Sequence, residues 1–185
     1  MIAPDDVLAF WFEGDGTRFR AAWFEKDAAF DAACGTFAAA LEAARDGALD
    51  HWAAAPRSML ALIVLLDQFS RNLYRDSLRA FAADAKARAL AREAVARGFD
   101  RRLHPVERAF IYLPFEHSED PADQDESVRL FETMRLWLGD STVEHAYRHR
   151  DIIRRFGRFP HRNAALGREN SAEEQRYVAE LGGGS

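Results

Sequence analysis

The chain has 185 residues, 48% of them hydrophobic, with 14 Phe, 4 Trp and a net charge of −5. This is the length and apolar content of one domain with its own core, which excludes intrinsic disorder. The negative balance argues against general attraction to nucleic acid or anionic lipid. A single cysteine, Cys34, excludes an internal disulfide and a four-thiolate metal site.

Met1 to Phe12 carries Asp5 and Asp6 but no basic residue, so it lacks the charged region of a secretory signal. The longest apolar run, Met59 to Leu66, is eight residues. That falls far short of the roughly 20 that span a bilayer as a helix. A reducing, cytoplasmic setting is expected, with neither membrane nor nucleic acid as a partner.

In chain order, Pro4 with Asp5 and Asp6 predicts the first turn of a helix reaching about Glu13, broken by Gly14 and Gly16. A second helical stretch from about Phe19 carries Trp23, Phe24, Phe30, Phe37 and Leu41, with a bend at Gly35 and an interruption at Gly47. A short helix over Leu49 to Ala54 precedes Pro56, which opens an apolar helix from Arg57 to about Asn72. Ala82 to Arg97 reads as an amphipathic helix closed by Gly98.

His104 and Pro105 start another apolar helix, which Pro114 is expected to bend or end. An acidic stretch containing Pro121 then links to a helix with Val128, Phe131, Met134 and Trp137, closed by Gly139. A helix from about Thr142 to Phe156 stops at Gly157, and Ser171 to Glu174 predicts a capping box for a last helix. No segment alternates apolar and polar residues over a strand's length, so the chain reads as all-α, one domain of antiparallel helical hairpins over residues 1–185.

Three constellations carry candidate chemistry. Asp67 and Arg71 lie four residues apart in the favourable acid-first order at the end of the apolar helix, followed by Asn72. Polar groups after so apolar a run need partners, either structural ones or a ligand. Glu116-His117-Ser118-Glu119 offers an imidazole with carboxylates near the proline break. The third, His149 to Asn163, is rich in arginine, and guanidinium groups fork onto carboxylate or phosphate oxygens.

The reading that joins them is a cleft for a small anionic metabolite. Arg71, Arg158 and Arg162 hold the anion, and Asn72 and Asn163 orient it. His149 lines the cleft, and His117 or His161 is the acid–base group, its tautomer fixed by Glu119 or Asp67. The alternative is a scaffold whose helical face holds a protein or peptide segment. His145 and His149 stand one turn apart but lack the adjacent glutamate of a zinc hydrolase, so neither a metal nor another cofactor is expected.

Charge is unevenly distributed. Glu116 to Glu126 holds six acids and no base, and Arg148 to Arg168 holds seven arginines and one acid. The two stretches read either as mutually neutralising surface or as part of an anion site.

Phe10-Trp11-Phe12, Trp23-Phe24, Leu66-Asp67-Gln68-Phe69-Ser70-Arg71-Asn72, His117-Ser118-Glu119-Asp120 and the long segment His149 to Glu169 together resemble the bacterial domain of unknown function 924 family. The resemblance covers nearly the whole chain and implies a tetratricopeptide-like helical fold. It supplies no activity. Ser70 departs from it, standing where the family is expected to have proline.

Overall fold

A computed structural model of the protein describes residues 2–13, 18–23 and 26–182. Gly14, Gly16 and Phe24 lie outside the described residues. Among those described, every regular element is helical.

The centre is α4 (Pro56–Val64), which Pro56 opens because a first-turn residue needs no amide donor. From Met59 to Leu66 every side chain is fully buried. A helix apolar on all sides needs neighbours all round. It has them in α1 (Pro4–Phe12), α6 (Asp84–Ala96), α7 (Pro105–Glu116) and the turn Asp50–Ala54. The next neighbours outward are α8 (Pro121–Glu132) on α7 and α10 (Asp140–Phe156) on α8. On the opposite side, α2 (Ala28–Cys34) and α3 (Ala38–Arg45) are separated by a tight turn at Gly35–Phe37, where the bend was expected.

The aromatic residues near the start of the chain join these layers. Trp11 is fully buried, stacks on Trp23 at 6.1 Å and meets Phe69 and Phe110 at 5.1 and 5.8 Å. It is a core residue, in line with its apolar spacing.

Three local departures from the sequence reading matter for the site. The helix after Pro56 continues through α5 (Ser70–Leu73), but Leu65–Phe69 widens into a π-turn. Such turns insert one residue into a helix and re-aim the side chains around it. Ser70 sits at its end and donates its hydroxyl to the carbonyl of Leu66 at 2.7 Å.

Second, α7 runs two residues beyond Pro114 before stopping at His117. The exposed carbonyls at its end are taken by the buried Gln124 amide, at 2.6 Å from both Glu116 O and Ser118 O. Third, the acidic stretch is the start of α8 rather than a linker. Asp120 caps it, and Asp123 is buried against Arg88, Arg92 and Ser118. Asp125 pairs with Arg150 and Arg154 on α10, so the acidic and arginine-rich stretches neutralise each other where α8 meets α10. The expected helix over 128–138 also breaks at Thr133, leaving α9 (Arg135–Leu138) as a single turn.

The helix stop at Gly157 is left-handed, φ 71°, with open space where a Cβ would stand. Gly157→Ala should therefore cost about 1 kcal/mol, from backbone strain alone. Urea unfolding checks this; a loss of several kcal/mol would mean that packing is also disturbed. The last helix, α11 (Ala172–Gly182), begins at the predicted capping box, with Ser171 and Glu174 exchanging bonds of 3.2 and 2.7 Å. Among the described residues no helix is long and apolar enough to cross a membrane.

Candidate functional site

The π-turn aims Asp67 inward, where it is 1% exposed. Its Oδ1 accepts from His117 Nδ1 at 2.8 Å and lies 3.1 Å from Arg71 Nη1; Oδ2 accepts from Gln68 at 2.5 Å. Arg71 also donates to the Asp67 carbonyl and, through both terminal nitrogens, to Asp84 at 2.9 and 3.0 Å. Burial disfavours charge on Asp67, but Arg71 and then His117 outweigh it and hold the carboxyl well below its usual range.

A carboxylate at Nδ1 fixes that nitrogen as the protonated one, which leaves Nε2 of His117 with a lone pair. Burial and the Arg71 charge outweigh Asp67 and hold His117 below its ordinary value. The ring is therefore neutral at physiological pH, in the form that accepts a proton.

The turn Pro160–Arg162 brings in a second guanidinium. Arg162 is 8% exposed and lies between the rings of Phe81 and Phe159, 5.0 and 4.3 Å from their centres. Among the described residues its guanidinium makes one hydrogen bond, 2.9 Å to the carbonyl of His117, and its nearest carboxylate, Asp84, is 3.9 Å away. Burial and Arg71 push it down to about 10, so it stays charged at neutral pH. Arg162, Arg71, Arg75, Lys26 and three histidines, His117, His149 and His161, line a recess of about 340 Å³, with Asp76 its one acidic lining residue among those described. Arg75 is already paired, with both Asp31 oxygens.

A second cavity, about 500 Å³, shares His117 and His149 with this recess. Its walls include Phe110, Leu113, Phe131 and Leu138 together with Arg20, Ser141, Thr142 and His145, and among the described residues its one carboxyl is Glu116. Glu116 is 5% exposed, and among the described residues its carboxyl has one side-chain partner, His149, whose Nδ1 lies 3.3 Å from Oε1. That same nitrogen bonds the His145 carbonyl at 2.9 Å, so its proton is directed there. Burial first, and then the Asp67 charge, push the Glu116 carboxyl up to about 8; Arg148 opposes this weakly. Burial likewise lowers His149 to about 4.

Six of the residues singled out from sequence thus converge: Asp67, Arg71, His117, His149, His161 and Arg162. Four stand elsewhere. Asn72 donates to Asp31. Arg158 forks onto Glu174, and the buried Asn163 bonds Asn170 and Glu174, so both tie α11 to the body of the protein. Glu119 is held by Arg168 and the Phe159 amide, and the partner of the His117 ring is Asp67.

Sequence reasoning placed Glu116 in the Glu116–Glu119 constellation without giving it a role of its own, and did not single out Asp84, Arg75 or Phe81 as site residues. Glu116 had a usable signal, an acid directly after an apolar helix. Phe81 and Asp84 had none, because only packing brings the start of α6 to Arg71. Among the described residues no group of three or more His, Cys, Asp or Glu is placed to hold a metal ion.

Fold and site together define an all-helical protein with a buried carboxylate–histidine pair between a cationic recess and an apolar cavity. The chain belongs to the family described as bacterial protein of unknown function, DUF924, whose model matches residues 7–182. It is similar to the solved structure of a protein of unknown function, ATU0120, from Agrobacterium tumefaciens, at 43% identity with a TM-score of 0.85, covering 96% of this chain and 97% of that one. No curated protein matches it.

Proposed function

We propose that the recess binds the anionic group of a small metabolite, with His117 Nε2 beside it as a proton acceptor. The observation that carries this reading is Arg162. Among the described residues this buried guanidinium makes one hydrogen bond, to a neutral carbonyl, and has no carboxylate closer than Asp84 at 3.9 Å. A charge compensated only at that range is unfavourable by several kcal/mol unless a closer counter-charge arrives. A bound carboxylate or phosphate supplies it through paired N–H···O bonds. Neutralising Arg71 and Arg162 also raises the basicity of His117, so the ring becomes a better proton acceptor when the site is filled.

The test is thermal unfolding with inorganic phosphate, simple carboxylates and nucleotides, on the wild type and Arg162→Ala. A ligand at about 100 times its dissociation constant should add about 2–3 kcal/mol of stability to the wild type and nothing to the variant. Without ligand the variant should be as stable as the wild type or more so, because it loses an incompletely compensated charge. Equal ligand shifts in both proteins would sink the proposal.

A second reading, a scaffold for a protein segment, is favoured by Leu136 and Trp137, 92% and 63% exposed on α9. Capture of a partner that survives Arg162→Ala but is lost on replacing both α9 residues with serine would support it.

A further inference from the structure

The apolar cavity contains one feature that anion binding at Arg162 does not use. Glu116 is a carboxyl 5% exposed, in a wall where Phe110, Leu113, Phe131 and Leu138 alternate with the polar side chains of Arg20, Ser141, Thr142 and the histidines. Among the described residues no lysine, arginine or backbone amide reaches it, and its one neighbour, the His149 imidazole, directs its proton at the His145 carbonyl. Glu116 is also the last residue of α7, at the negative end of the helix dipole, where a carboxylate is disfavoured. A carboxyl there is held as the acid, and among the described residues it has no side-chain partner besides His149. Buried polar groups without partners are rare in native structures, and one facing a cavity of about 500 Å³ points to a ligand atom as the partner.

We propose that Glu116 donates a hydrogen bond to an oxygen on the apolar body of the ligand whose anionic group sits against Arg162. This rests on the anion reading given above and deepens it. The substrate class is an organic anion carrying an uncharged carbonyl or similar acceptor on a mainly apolar frame, and a bare oxyanion fills only half the site. His117 and His149 line both cavities, so the proton-accepting imidazole lies between the anionic group and the acceptor oxygen.

The experiment is titration calorimetry on the full chain with inorganic phosphate, hexanoate and a series of oxohexanoates in which the carbonyl is moved along the chain. Wild type, Glu116→Gln and Glu116→Leu are compared. The best oxo acid should bind the wild type about tenfold more tightly than hexanoate, as one hydrogen bond in an apolar site supplies. Glutamine, which still donates, should keep most of that preference, and leucine should abolish it.

No preference in the wild type, or one that survives in the leucine variant, would overturn the role of Glu116. If hexanoate and phosphate still bind and lose affinity in Arg162→Ala, the anion reading stands alone. If nothing binds, both fall. Infrared spectroscopy guards against a folding artefact: the wild type should show a protonated carboxyl C=O band at neutral pH that is absent from Glu116→Gln and shifts when the oxo acid is added. Absence of that band in the wild type would equally overturn the proposal.

Discussion

Asp67→Ala should lower the folding free energy by about 3–5 kcal/mol, the usual cost of removing one partner from a buried charge pair. Asp67 receives three side chains at once, from His117, Arg71 and Gln68. Without it, Arg71 keeps Asp84 and the main-chain carbonyl of residue 67, Arg162 loses part of its longer-range compensation, and the Nδ1–H of His117 is buried without its acceptor. Urea unfolding at neutral pH is the measurement. A loss below about 1 kcal/mol would mean that the pair is dispensable to the fold. Asp67→Asn should cost less, because its carbonyl oxygen still accepts from Nδ1.

The second large effect is in the pH dependence of stability. Glu116 has a folded pKa raised from 4.5 to about 8, so its contribution is fully present below the unfolded value and is lost as pH rises through the folded one. Between those limits the loss is on the order of 5 kcal/mol. His149 runs the other way. Lowered from 6.5 to about 4, it contributes above the unfolded value and loses that contribution as pH falls towards the folded one, and His117 is shifted in the same direction.

Stability should therefore peak near neutral pH and fall on both sides. Glu116→Gln should remove the alkaline limb, leaving a variant close to the wild type in mild acid and several kcal/mol more stable than it in mild base. Chemical unfolding across that range tests this. Parallel curves for the two proteins would show that Glu116 ionises normally. The groups facing this carboxyl are His149 and His145 from α10, His117 and Arg20 across the cavity and, at longer range, Asp67 from the π-turn and Arg148. Arg20 is engaged by the carbonyls of Phe10 and Trp11, so among the described residues no cation pairs with it.

Much of the frame was legible because it depends on local rules. Pro56 and Pro105 open helices, Ser171 and Glu174 make a capping box, Gly157 supplies a left-handed stop, and the run from Met59 to Leu66 is buried on every side, as a wholly apolar helix must be. Asp67, Arg71, His117 and Arg162 were legible for a related reason: charged or ionisable groups beside apolar helices must find partners. Four residues chosen on the same grounds, Asn72, Glu119, Arg158 and Asn163, found theirs elsewhere in the protein.

Sequence by itself determined the helical class, most helix ends and the types of residue available for chemistry, since propensity, capping and periodicity act over a few neighbouring residues. The tertiary structure alone decided which charges were cancelled and which were left over. Arg71 and Arg162 have the same side chain, but the start of α6 gives Arg71 two Asp84 oxygens at bonding distance and leaves Arg162 3.9 Å from one of them. Glu116 and Glu119 are three residues apart, yet one faces apolar walls and the other a bidentate arginine. Charge compensation is a matter of distances of a few ångströms between segments far apart in the chain, and those distances are set by how the helices pack.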